Sequence, residues 1–255
     1  MGDHDTWFHL LPLYHNIETW AKPYLTRGEW PLIGGTFFTL AHVWIALFTG
    51  TLMIIGAVIY KGKISGDQKK RLVPERKFGL RNIYELILET TLGLATQVMG
   101  RKKAVKYFPI IGTLVFFILA NNLIGLVPGF LPATDTLKTN VALSVLVFFL
   151  YNAWGVKEHG LAYFKHFAGP LPVLAPLMIP IEIISHIARP ISLALRLMGN
   201  MVADHKVVAA FFVLVPILIP LPFLMLGILV CIVQTLVFTL LTMVYIDMAV
   251  AHEEH

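Results

Sequence analysis

Apolar residues along most of this chain neither alternate nor keep to one helical stripe; they run on. Five stretches do so, near 36–60, 107–127, 139–156, 172–214 and 221–250. A helix of about 20 apolar residues crosses a hydrocarbon layer of about 30 Å. The pattern therefore predicts an all-α integral membrane protein with about five transmembrane helices. Segment 82–100 is different. Ile83, Leu86, Ile87, Leu94 and Val98 fall mostly on one side at helical spacing, with Glu85 and Glu89 as polar partners. It reads either as an amphipathic helix on the membrane interface or as a connecting helix packed on the bundle. The fourth and fifth stretches exceed what a perpendicular crossing needs. Pro180 and Pro190 interrupt the fourth, and PILIPLP, 216–222, joins the two by a short stiff turn. A long hairpin of strongly tilted helices is expected there. No internal repeat or low-complexity run is present.

Composition sharpens this picture. The 255 residues are 57% hydrophobic and 14% charged, against about a quarter charged in soluble domains. A single membrane domain over 1–255 is expected, because no polar stretch is long enough to fold alone. The net charge of +5 sits in short loops, which is membrane topology rather than nucleic-acid binding. Lys61, Lys63, Lys69, Lys70, Arg71, Arg76, Lys77 and Arg81 are followed by Arg101, Lys102, Lys103 and Lys106, whereas loop 128–138 holds only Asp135 and Lys138. The positive-inside rule places the basic loop and amphipathic segment, 61–106, in the cytoplasm. It leaves the 1–35 segment outside and the C-terminal AHEEH inside. Residues 1–35 are too polar for a signal peptide, so no cleavage is expected. Cys231 is the only cysteine, which excludes an intrachain disulfide.

Chemistry concentrates in IEIISHIARPISLALRLMGNMVADH, 181–205. An arginine near the bilayer centre costs about 3 kcal/mol on insertion scales and about 10 or more on an isolated helix, so Arg196 implies an ion pathway. With Arg196 at zero on a helical wheel, Arg189 falls at about 20°, Glu182 and Asn200 at about 40°, Ser185 at about −20° and Ser192 at about −40°. His205 falls about opposite. Ala194, Gly199 and Ala203 are small enough for close approach of a second helix. Glu182 either lines a path or snorkels to the interface; a seven-residue separation from Arg189 is too long for a direct bond along one straight helix. Arg189 reads as a snorkelling anchor, and His186 as a packed neutral imidazole. On the last stretch Gln234 is the deepest strongly polar residue, a candidate for the depth of Arg196 or for interhelical glue. Asp247 reads as interfacial. Asn121 and Asn122 either cap a helix end or line a polar entry. No HExxH, GxSxG, P-loop or metal-spaced Cys/His cluster occurs, so no cofactor and no chemistry on a substrate are expected.

At SLALRLMGNMVADH, with Glu182 and the Pro190-Ile-Ser run upstream, the chain resembles subunit a of F-type ATP synthases. The likeness extends to NLIGLVPG at 122–129, TNVALS at 139–144, Gln234 with TLVFTLLTMVYIDMA, and the acidic-His tail. It covers most of the chain from about 105 onward, with the first hundred residues alike only in general character. The resemblance implies a non-catalytic subunit of a bacterial inner membrane. Its implied partners are a ring of small membrane subunits carrying an ion-binding carboxylate, a peripheral-stalk membrane subunit, the rest of the complex and the lipid bilayer. Arg196 would face the ring carboxylate, with Asn200 and Gln234 as polar neighbours. Glu182 would line the cytoplasmic half-channel. His205, with Asn122, Ser144 and Asp204, would line the outer one. Three positions depart from relatives: His205 stands where many bacterial ones carry Glu, Gly227 where a His or acid faces that position, and Gly125 where some carry Asp. Two other readings are weighed against this one. A proton-coupled secondary transporter would show repeated halves and a solute site. A non-transporting scaffold would not need Arg196.

Overall fold

The computed structural model describes residues 19, 41–64, 79–127, 130, 132–160, 163, 175–214 and 220–251. The expectations for 1–35, for the basic run 65–78, for most of the proline turn and for the last four residues lie outside the described residues. Five α-helices follow in chain order: α1 (Ala41–Ile64), α2 (Leu80–Ile124), α3 (Leu137–His159), α4 (Ala175–Leu214) and α5 (Pro220–Val250), with a short 3₁₀ turn at Ala133–Asp135 between α2 and α3. All five are long and apolar enough to cross a membrane, and no strand occurs among the described residues.

The expected second span and segment 82–100 are one element, α2, broken at Gly100 (φ 76, ψ 156). That backbone is open to glycine and strained for other residues, and it folds the two arms together. Tyr84 and Phe116, equally far from Gly100 on either side, stack with centroids 4.8 Å apart. Thr91, Ala95 and Met99 are buried, whereas Leu80, Ile83 and Leu86 stay outward. The first arm thus packs on the bundle by its small residues and presents amphipathic apolar positions outside. That inversion suits lipid, which offers no hydrophobic drive inward and leaves close packing of small residues to join helices.

The core lies where the second arm of α2 meets α3, α4 and α5, around Ile111, Ile118, Tyr151, Leu197, Phe238 and Ile246. α1 packs through its buried Ile45 and Thr49, through Tyr60 stacked on Tyr84 at 5.5 Å and through Phe48 on Phe130 at 6.2 Å. Thr49 Oγ1 donates to the Ile45 carbonyl at 2.8 Å and reaches Asn121 Oδ1 at 3.3 Å. α4 and α5 run antiparallel. Phe211 stacks on Phe223 at 4.2 Å, Asn200 bonds Gln234, and Arg189 lies over Tyr245. At 40 and 31 residues the two helices are about 60 and 46 Å long. Pro180 and Pro190 both lie inside α4 without ending it.

Candidate functional site

The hairpin α4–α5 carries a polar seam through otherwise apolar helices. Arg196 stands on the outward surface of α4 among exposed Ser192, Gly199 and Asn200. Among the described residues no ion pair or hydrogen bond joins it to this chain. Its charge is therefore presented outward, on the polar stripe of an otherwise apolar helix. Leu193, Ala194 and Leu197 turn inward and are fully packed, whereas Gly199 and Ala203 are exposed. Of the three small residues, only Ala194 is buried among the described residues.

One turn along, Asn200 Nδ2 donates to Gln234 Oε1 at 2.5 Å. The structure thus brings together the two amides singled out in the sequence. Gln234 is buried, and its Nε2 has no partner among the described residues. A buried, unpaired amide costs about 1–3 kcal/mol.

Toward the start of α4, Glu182 Oε1 accepts from Arg189 Nη2 at 3.5 Å. The expectation that seven residues are too many for a direct contact is corrected here. The axial gap is about 10 Å, but long side chains point toward the helix N-terminus, so Arg189 reaches back to Glu182. Arg189 also lies 5.6 Å from the Tyr245 ring centre. His186 is buried, with its Nε2 2.8 Å from Asn152 Oδ1. Glu182, His186 and Arg189 wall a small cavity with Tyr151, Tyr163 and Tyr245.

Toward the other end, Asp204 lies against Gly227. A Cβ at 227 would sit 2.8 Å from Asp204 Oδ2 and 2.9 Å from Leu126 Cδ2. The carboxylate occupies the space where a side chain at 227 would begin, so any larger residue there would have to displace Asp204 and Leu126. Gly125 is similarly placed, since a Cβ there would sit 2.6 Å from the Pro132 ring. The side chain of His205 lies outside the described residues. Ser144 is buried and donates to the Val141 carbonyl at 3.1 Å. Asn122 Oδ1 accepts from Thr134 Oγ1 at 2.7 Å, and Asn140 Nδ2 donates to the Thr134 carbonyl at 2.6 Å. Asn121 Nδ2 donates to the Phe117 carbonyl at 2.8 Å. Asn122 Nδ2 and Asn140 Oδ1 are buried without a partner among the described residues.

Thr134, Asn140, Asn152 and the three tyrosines of the cavity escaped the sequence reading. Each is an ordinary residue on a helix or turn, and only folding gathers them. Asp247, expected at the interface, pairs with Lys103 at 2.7 Å, and Glu158 pairs with Lys106. Both bonds tie α2 to neighbouring helix ends. Among the described residues no cluster of His, Cys, Asp and Glu is arranged to hold a metal ion.

These features define an all-helical membrane protein with a charged and amide-lined seam along one hairpin. The profile of the ATP synthase A chain family matches residues 37–247. The likeness therefore reaches well before residue 105. ATP synthase subunit a of Bdellovibrio bacteriovorus is 46% identical over 223 residues, covering 87% of this chain and 96% of that protein. ATP synthase subunit a 1 of Syntrophotalea carbinolica is 48% identical over 214 residues, covering 83% and 85%. ATP synthase subunit a of a Sulfurihydrogenibium species is 40% identical over 214 residues, covering 84% and 99%. The chain belongs to the ATP synthase A chain family.

Proposed function

We propose that this chain is the proton-translocating, non-catalytic stator subunit of a rotary F-type ATP synthase in a bacterial inner membrane. It forms a single membrane domain, with residues 1–35 outside and the C-terminus in the cytoplasm. The observation that carries the reading is Arg196, a cation on the outward face of an otherwise apolar helix, with no ion pair or hydrogen bond to it among the described residues. Its natural counter-charge is a carboxylate on a neighbouring subunit, supplied by a ring of small membrane subunits that turns past this face. A peripheral-stalk subunit holds the chain still against that rotation.

Two offset paths meet this arginine. Protons enter from outside by way of Asp204, His205, Asn122 and Ser144, and neutralise a ring carboxylate. The neutral carboxylate turns through lipid and reaches the second path, where it releases its proton past Glu182 toward the cytoplasm. Arg196 stays charged at physiological pH. It attracts the ionised carboxylate, favours proton loss and cannot itself relay the proton, so the two paths are not short-circuited. Asn200 and Gln234 give the carboxylate polar contacts beside the charge. The attraction stays moderate because a tight dry ion pair would arrest the ring. The membrane potential supplies about 2.3 kcal/mol per charge per 100 mV. The helices α4 and α5, longer than a perpendicular crossing needs, lie strongly tilted and follow the curve of the ring.

The test is Arg196→Ala in the assembled complex in inverted membrane vesicles. ATP-driven acidification is lost, while passive proton leak persists after the soluble head is stripped. Normal acidification would overturn the mechanism and favour a scaffold or a separate transporter.

A further inference from the structure

The wall of the cavity between α3, α4 and α5 is built around one tyrosine. α3 ends at Gly160, whose φ of 58 turns the chain in a way that favours glycine. Tyr163 follows in the same turn, its amide N donating to the Gly160 carbonyl at 3.3 Å. Its ring then lies back on α3 over Gly155, where a Cβ would come within 2.5 Å of Tyr163 Cε2. Two glycines therefore make room for this ring, one by conformation and one by size.

The hydroxyl completes the arrangement. Tyr163 OH donates to Asn152 Oδ1 at 2.9 Å, and His186 Nε2 meets the same oxygen at 2.8 Å. Asn152 Nδ2 donates to the Phe148 carbonyl at 2.7 Å, which fixes the orientation of the amide. Oδ1 is thus the acceptor for both neighbours, and His186 presents an N–H at Nε2. One amide side chain joins α3, the turn after it and α4. Phe148 and Tyr151 meet the imidazole edge-on at 5.1 and 5.6 Å, so the ring has little freedom to turn. Burial also pushes the Tyr163 phenol above its ordinary value, which keeps it a neutral donor through the physiological range.

The groups that share this cavity can titrate or carry charge. Glu182 and Arg189 face it from α4, Tyr151 from α3, Tyr163 from the turn and Tyr245 from α5. We propose that Tyr163, Asn152 and His186 form a hydrogen-bonded wall that positions the Glu182–Arg189 pair and sets the rate at which protons leave to the cytoplasm. The inference rests on the proposed role of Glu182 in the inner path. The three are positioning residues. Their bonds hold the cavity open at a width that water can thread, and losing them lets apolar neighbours close on the pair.

The experiment uses the assembled complex in inverted vesicles, stripped of the soluble head. It follows passive proton flux as the pH at the cytoplasmic face is varied. Tyr163→Phe keeps the ring on Gly155 and removes one bond; Asn152→Leu removes both. Flux falls by about two- to tenfold for each bond lost, and the dependence on cytoplasmic pH shifts. His186→Gln retains a donor toward Asn152 and stays close to the parent, whereas His186→Leu behaves like Asn152→Leu. If Asn152→Leu does not assemble, Tyr163→Phe and the His186 pair carry the test. Parental flux and pH dependence in those variants would overturn the proposal. Glu182→Gln separates the two levels. A shift there without one in the wall variants overturns only this inference; no shift in any of them removes the inner path as well.

Discussion

At the Glu182 end of the α4–α5 hairpin, Arg189 lies over the Tyr245 ring and a cavity edged by tyrosines remains beside the pair. At the Asp204 end a glycine lets the carboxylate close directly onto α5, in the space where a side chain would sit. The same antiparallel pair of helices thus builds an open acid–base pocket and a tight contact. The difference comes from side-chain size at a few positions: Tyr245 lies under Arg189 at one end, and Gly227 admits Asp204 at the other. Arg196 lies between the two ends, turned outward, with Asn200 and Gln234 beside it. Width available to water, and not the number of polar groups, is what distinguishes the two ends.

The contrast can be broken from the tight end first. Gly227→Leu would drive a side chain into Asp204 and Leu126, and overpacking of this kind costs about 1–3 kcal/mol. ATP-driven acidification is expected to fall about tenfold or more, and Asp204→Ala in the same chain should restore assembly without restoring pumping. Thr134→Val would come next. It removes the hydroxyl that satisfies Asn122 and leaves a second buried polar atom on that side chain, a loss of about 1–3 kcal/mol. A lower thermal midpoint for the purified complex is the expected result, with the cytoplasmic pH dependence unchanged.

Glu182→Gln probes the open end. Its pair with Arg189 is partly exposed, so stability should change by less than about 1 kcal/mol. The effect should appear instead in how flux depends on cytoplasmic pH. Lys106→Ala is the smallest. The lysine of its ion pair with Glu158 is exposed, and the thermal midpoint is expected to stay at the parental value. A lowered midpoint would make this pair part of the packing that sets the cavity.

Much of the fold was legible because lipid is a demanding solvent. Continuous apolar runs locate four of the five membrane-length helices to within about five residues, and of α2 only the end of its second arm. The fold-back of α2 was not legible, since Gly100 is one glycine among 19 and only its φ marks it as a turn. Of the candidate site, Arg196, Asn200 and Gln234 stood out because polar groups are costly in apolar helices. Arg189 was read as a snorkelling anchor, and its reach back to Glu182 became visible only once the side-chain direction was known. Asn152, Tyr163 and Tyr245 gave no signal, because a tyrosine or asparagine near a helix end is commonplace and their meeting is long-range.

Sequence alone therefore determined the class of protein, the number of helices and the presence of a charge that must find a counter-charge. These follow from hydropathy and from the cost of burying ions, which are properties of single segments. The tertiary structure decided which way Arg196 faces, that Asp204 packs against Gly227, and that one amide links a tyrosine and a histidine across three elements. Those facts depend on distances between side chains remote in the chain, and only packing sets such distances.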